Sequence, residues 1–172
     1  MLPDMRIADN LGLIGAIFLL SATVASAAAA GSTFADQLEM LEWSDPERAG
    51  QIVDAAPPLS TDSSASEIDM LEIRGMIYAD GTRDADVDAV VQRLEEIARA
   101  GDQTAVRAAH FVRAYSARQH NQFATAESEL KGIDINSISA DTERYRMLAL
   151  RGYVLRVLGQ DDASLPFLEP RS

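Results

Sequence analysis

The densest set of potential ligands in the sequence is Asp84-Ala85-Asp86-Val87-Asp88, with Glu95 twelve positions from its start. Alternating carboxylates closed by a glutamate at position twelve are the oxygen donors of an EF-hand calcium loop. The sixth position, where that loop turns sharply on glycine, holds Ala89 instead. Val87, Val90, Val91 and Leu94 also form a helical stripe straight through the stretch, and Gly101 would cut a second EF helix short. Acidic residues in the first turns of a helix are favoured by its dipole. The stretch is therefore expected to be an ordinary helix start that holds no metal.

The other chemistry-bearing side chains are sparse. His110 and His120 are the only histidines, and cysteine is absent. That removes a disulfide framework, thiol catalysis and thiolate metal sites. No Ser-His-Asp ordering, glycine-rich phosphate loop or paired-carboxylate motif stands out, so no enzyme and no cofactor is expected. His110 falls at a packed helical position and His120 in a turn. The chain carries 27 acidic and 15 basic residues, a net charge of −12, and Lys131 is its only lysine. Such a chain repels nucleic acid and anionic lipid.

The elements that must position these residues begin after a targeting segment. Arg6 precedes an apolar run from Leu11 to Val24, followed by Ala25-Ser26-Ala27, a small-x-small cleavage pattern. Residues 1–27 are expected to be a signal peptide. The alternative is a membrane anchor, because Leu11 to Ala30 carries no charge. Either way the remainder is expected to be extracytoplasmic, in the periplasm, secreted or membrane-anchored.

From Phe34 onward the punctuation is helical, and the expected fold class is all-α. Ser44-Asp45-Pro46-Glu47 and Ser64-Ala65-Ser66-Glu67 have capping-box spacing, and Pro57-Pro58 stops the helix between them. Gly81, Gly101, Gly132 and Gly159 close later helices, and Asp102 and Asp141 open others. Ile133 to Ala140 is expected to be a connection, and Ala163, Phe167 and Leu168 to lie on a last short helix. The total is eight helices in four antiparallel pairs. Three stretches are versions of one another: LEIRGMIY (71–78), HFVRAYSA (110–117) and LALRGYVL (148–155). Their central small residues, Gly75, Ala114 and Gly152, are 39 and 38 residues apart, and Arg74, Arg113 and Arg151 precede them. A period of that size marks units that bury their apolar faces only by stacking.

Residues 34–172 resemble divergent tetratricopeptide (TPR-like) repeats. The resemblance rests on Leu148, Gly152 and Leu155 with Ala163 and Phe167. It continues in His110, Ala114 and Ala117 with Phe123, Ala126 and Leu130, and in Leu71, Gly75 and Tyr78 with Val87 and Val91. The spacing exceeds the family's usual 34 residues, and a plain helical bundle is the competing reading. The resemblance implies an α-solenoid whose concave groove receives a protein or peptide segment. Its register places Phe111, Tyr115, Arg118, Arg146, Tyr153 and Arg156 along that groove, together with Asp69, Glu72, Met76, Ala79, Ala108 and Ala149. Packing of the tyrosines against neighbouring helices and of the arginines against neighbouring acids is the competing use of these residues. Behind a signal peptide, such repeats resemble the sensory regions of bacterial diguanylate cyclases and sensor kinases. A scaffold component of a cell-envelope assembly is the alternative. The chain stops at Pro170-Arg171-Ser172 with no polar capping helix after it, so a continuation into a membrane span and catalytic domain is expected.

Overall fold

The computed structural model describes residues 38, 41, 44–55, 65–138, 141–160 and 163–164. Phe34, most of the first expected helix, the signal segment, and Phe167 and Leu168 lie outside these residues. The chain forms two compact units, residues 1–56 and 57–172. In the first, α1 spans Pro46–Ala55 and buries Ala49 and Val53. Its cap is Asp45, whose Oδ1 accepts the Arg48 N–H at 3.1 Å, and not the expected Ser44. Proline fixes the reason. Pro46 suits the first helical position, and the residue before a proline is driven into the extended conformation that a cap needs.

The second unit contains α2 (Ala65–Asp80), α3 (Asp84–Arg99), α4 (Gln103–Gln119), α5 (Phe123–Lys131), a 3₁₀ turn (Ile135–Ser137) and α6 (Asp141–Val157). No strand occurs among the described residues, so the all-α class holds there. No described helix is long and apolar enough to cross a membrane. Helix α4 is central, packing against α2, α3 and α5 and, less extensively, α6, while α5 packs on α6. One apolar cluster runs through all five helices. It includes Ile68, Leu94, Phe111, Val112, Leu130, Met147 and Val154. Each large side chain so buried contributes about 1.5–3 kcal/mol.

The repeat seen in the sequence recurs as backbone geometry. Helices α2, α4 and α6 each end in a left-handed residue: Thr82 (φ 53°), Asn121 (φ 59°) and Gly159 (φ 72°). At all three, paired backbone bonds close the turn. Arg83, Gln122 and Gln160 N–H donate to Tyr78, Ala117 and Leu155 O at 2.9, 2.8 and 2.9 Å. Thr82, Asn121 and Gly159 N–H donate to Ala79, Arg118 and Arg156 O at 3.0, 3.0 and 3.1 Å. This is the Schellman arrangement. Each left-handed residue stands seven positions after Gly75, Ala114 or Gly152, so the turns inherit the 39- and 38-residue spacing. The left-handed position is Thr82 and not the expected Gly81, which stands one residue earlier.

The turn geometry also corrects the register of the third copy. Val87, Ala126 and Ser164 N–H donate to Arg83, Gln122 and Gln160 O, the same step after each turn. The residue equivalent to Ala126 is therefore Ser164, which is 2 % exposed, whereas Ala163 faces solvent. The third turn therefore has the same length as the other two.

Two further features follow from local sequence. Asp102 caps α4, accepting from Thr104 and Ala105 N–H at 2.8 and 3.2 Å. The connection after α5 is pinned by the buried Ile133, Ile135 and Ile138. Asp134 supports it by accepting the Asn136 N–H at 3.2 Å. Helix α5 has nine residues against sixteen in α3, and this anchored connection makes up the difference in length.

Gly75 of α2 packs directly against Val112 of α4. A Cβ there would stand 2.6 and 2.7 Å from the two γ-methyls of Val112. Gly75→Ala is expected to lower stability by about 1–3 kcal/mol, read as a fall in the urea midpoint. Adding Val112→Ala should recover part of that loss, and strictly additive losses would place the contact elsewhere. Thr82 is β-branched in a conformation that costs roughly 1–2 kcal/mol for most residues. Thr82→Asn, which copies Asn121, should therefore raise the same midpoint, and a lower midpoint would contradict the strain.

Candidate functional site

Ion pairs between helices account for many of the polar side chains in the second unit. Arg93 of α3 donates from Nε and Nη2 to Glu67 Oε1 of α2 at 3.0 and 2.8 Å. Those hydrogen bonds are the main reason the Arg93 guanidinium is held above its ordinary value, against partial desolvation. Arg113 pairs with Glu95, linking α4 to α3. Arg107 reaches Glu143 at 3.4 Å, linking α4 to α6. Buried Glu127 of α5 lies 3.5 Å from both Lys131 and Arg151. Both histidines serve as ties of the same kind. His110 Nδ1 lies 2.8 Å from Glu129 Oε2, and His120 Nε2 lies 2.8 Å from Asp84 Oδ1.

The stretch from Asp84 is helix throughout. Val87, Val90, Val91 and Leu94 are buried along it, and Asp86 accepts the Arg83 Nε–H at 2.8 Å. An EF-hand loop needs these residues wrapped around one point, which a straight helix forbids. No cluster of three or more metal-ligating side chains occurs among the described residues.

The arrangement that stands apart is aromatic and cationic. Tyr115 of α4 directs its hydroxyl at the carboxylate of Asp80, the last residue of α2, at 3.2 Å from both oxygens. One turn on, the Arg118 guanidinium lies 5.1 Å from the Tyr115 ring centroid and 5.4 Å from that of Tyr153 on α6. Tyr153 meets Phe123 of α5 edge-on at 6.2 Å, and Phe111 lies 6.2 Å from Tyr115. An arginine is thus held between two tyrosine faces, each contact contributing about 0.5–1 kcal/mol or more as water is excluded. Arg118 forms no ion pair with any described residue. Its charge is oriented by the rings and not neutralised by a neighbour.

Four of the six expected groove residues are therefore contiguous: Phe111, Tyr115, Arg118 and Tyr153. Their exposure divides them. Phe111 is core at 2 % and Tyr115 nearly so at 8 %, whereas Tyr153 is 45 % exposed and Arg118 half-buried. Arg146 lies apart, 3.3 Å from Glu72 of α2, and Arg156 is exposed on α6. Glu72, Met76, Ala79 and Ala108, expected along the same groove, are buried as well. On α2 and α4 most of this row is therefore spent on packing between helices, with Asp69 exposed and Arg118 half-buried, while on α6 Tyr153 and Arg156 reach solvent.

Sequence reasoning passed over Tyr145, the most exposed large apolar residue described, at 71 %. Its signal was present in the spacing Tyr145, Ala149, Tyr153, Val157, four residues at each step. The expected register began from Arg146 and missed it.

The comparisons add no relative: no family model, no curated protein and no solved structure matches the chain. Function is therefore read from the side chains themselves. Because Asp84–Arg99 is committed to helix, millimolar calcium should leave the melting temperature unchanged. A rise with calcium that disappears in Asp84→Ala would overturn that assignment.

Proposed function

We propose that this chain is a non-catalytic, extracytoplasmic interaction module of TPR-like helix hairpins, which captures a protein or peptide segment. The observation that carries the reading is Arg118, an arginine without an ion pair among the described residues, held between Tyr115 and Tyr153 at the meeting of α4 and α6. Tyrosine and arginine are the residue types that dominate binding energy at protein interfaces. Holding a guanidinium in place beforehand removes part of the ordering cost that binding otherwise carries. The turns at Thr82, Asn121 and Gly159, alike in geometry and spaced as the sequence repeats, support the TPR-like solenoid reading. The apolar run from Leu11 to Val24, followed by Ala25-Ser26-Ala27, supports export and a periplasmic location.

The resemblance adds a setting, the sensory region of a membrane signalling protein. A scaffold role in an envelope assembly uses the same hairpins and differs in the surface engaged. Two measurements test the reading. Alkaline phosphatase fused after Ser172 should be active in cells, and an inactive fusion beside an active cytoplasmic reporter would refute export. Arg118→Ala combined with Tyr153→Ala should remove partner capture from an envelope fraction while leaving the far-ultraviolet circular dichroism helical. A folded double variant that captures the same proteins as the wild type would move the interaction off this surface and favour the scaffold reading.

A further inference from the structure

The four large apolar side chains most exposed among the described residues, Tyr145, Tyr153, Val157 and Leu158, all lie on α6 or the turn just after it. Three of them, with Ala149 between, fall at intervals of four residues. That spacing builds one continuous ridge along a helix, about 18 Å from Tyr145 to Val157. The 38- and 39-residue periods locate the same ridge on the earlier helices. On α4 it includes Phe111 and Tyr115, and on α2 Ile68, Glu72 and Met76. Those five residues are all buried, whereas on α6 Tyr145 is 71 %, Tyr153 45 % and Val157 44 % exposed. The fold covers the middle of this row on α4 and α2, where Arg107 and Gln119 stay half-buried and Asp80 exposed, and leaves the apolar copy on α6 open.

Between Asp141 and Glu143 at the start of α6 and Asp161 and Asp162 after its turn in sequence, the charge along the open copy is one-sided. Residues 144–157 hold four arginines and no carboxylate, in a chain whose net charge is −12. Arg146 and Arg151 are answered by Glu72 and Glu127. Arg144 and Arg156 form no ion pair with a described residue, and they stand near opposite ends of the row beside the ridge. Arg118 adds a third uncompensated cation, seated against Tyr153.

We propose that α6 docks an amphipathic helix of a partner protein. The apolar stripe of that helix seats on the Tyr145–Val157 ridge, and its acidic flanks meet Arg118, Arg144 and Arg156. A helix is the occupant that a four-residue ridge fits, because such ridges pack into the grooves of a second helix. Acidic flanks follow from three cations with no ion pair among the described residues. The proposal rests on the interaction-module reading and narrows it to one ligand class.

The test uses the full chain and three labelled synthetic peptides of about five helical turns, followed by fluorescence polarisation. One carries a leucine stripe flanked by glutamate, and the second has lysine in place of glutamate. The third keeps the acidic composition but has a central proline that breaks the helix. The acidic helix should bind and the other two should not. Tyr145→Ala should weaken binding about 30-fold, the loss of one aromatic anchor. Because that side chain is so exposed, its removal should leave the melting temperature unchanged. Arg144→Glu with Arg156→Glu should weaken binding further and flatten its salt dependence.

Equal binding of the acidic and lysine peptides would refute the charge argument. Equal binding of the proline peptide would make the ligand extended and not helical. Wild-type affinity in Tyr145→Ala would place the ligand elsewhere. A chain that sediments as a dimer, and as a monomer once Tyr145 is replaced, would make a second copy the occupant. If the acidic helix fails to bind while capture dependent on Arg118 and Tyr153 persists, only this proposal falls. Loss of both would remove the module reading too.

Discussion

The contact between α2 and α4 at Gly75 sets the spacing on which the second unit depends. With the Val112 methyls less than 3 Å from where a Cβ would stand, the two backbones approach as closely as side-chain chemistry allows. Everything around that point must then fit the short separation. Ala108, Ala109 and Ala114 line α4 with small side chains, while Ile68, Leu94 and Leu130 fill the wider gaps beside it. The turns complete the constraint. A helix that ends seven residues past its small residue sends its partner back along the same side each time. The next small residue then arrives after almost the same length of chain.

Much of this was legible because it is local. A small residue between large ones, a left-handed turn and an aspartate cap each occupy a few neighbouring positions. What misled was ambiguity of one position. Gly81 looks like the turn residue, yet the paired bonds place Thr82 in the left-handed conformation. Ala163 looks like the small contact residue, yet Ser164 takes that place. In both cases composition favours one residue while hydrogen-bond counting selects its neighbour. The connection after α5 was expected as such, but its packing was not legible. Its isoleucines at 133, 135 and 138 follow no helical or strand period, and only the fold shows that they converge on the core.

The binding surface was legible in part for a different reason. Periodicity states which residues share a helix face, but not which faces another helix will cover. Phe111 and Tyr153 lie one helical turn apart in repeat register, and both were placed on the groove. The first is core and the second is open, a difference made by tertiary packing alone. Arg118 and Arg146 separate similarly. Both are arginines of the same face, and the distinction is whether a carboxylate stands within reach. Glu72 does so for Arg146, while Arg118 has two rings instead.

The pair between Arg146 and Glu72 has a bearing on cooperativity. In an array where each hairpin touches only its neighbours, the terminal hairpin can fray while the remainder stays intact. Here a side chain of α6 reaches past α4 to a buried carboxylate on α2. If α6 peeled away, Glu72 would lose that charge, and separating a pair that ends on a buried carboxylate costs more than separating an exposed one. Helix α6 is thus tied to α2 by an ion pair that ends on a buried carboxylate. Amide protection along α6 should then follow that of α2 instead of falling off as in a hairpin that touches only its neighbour.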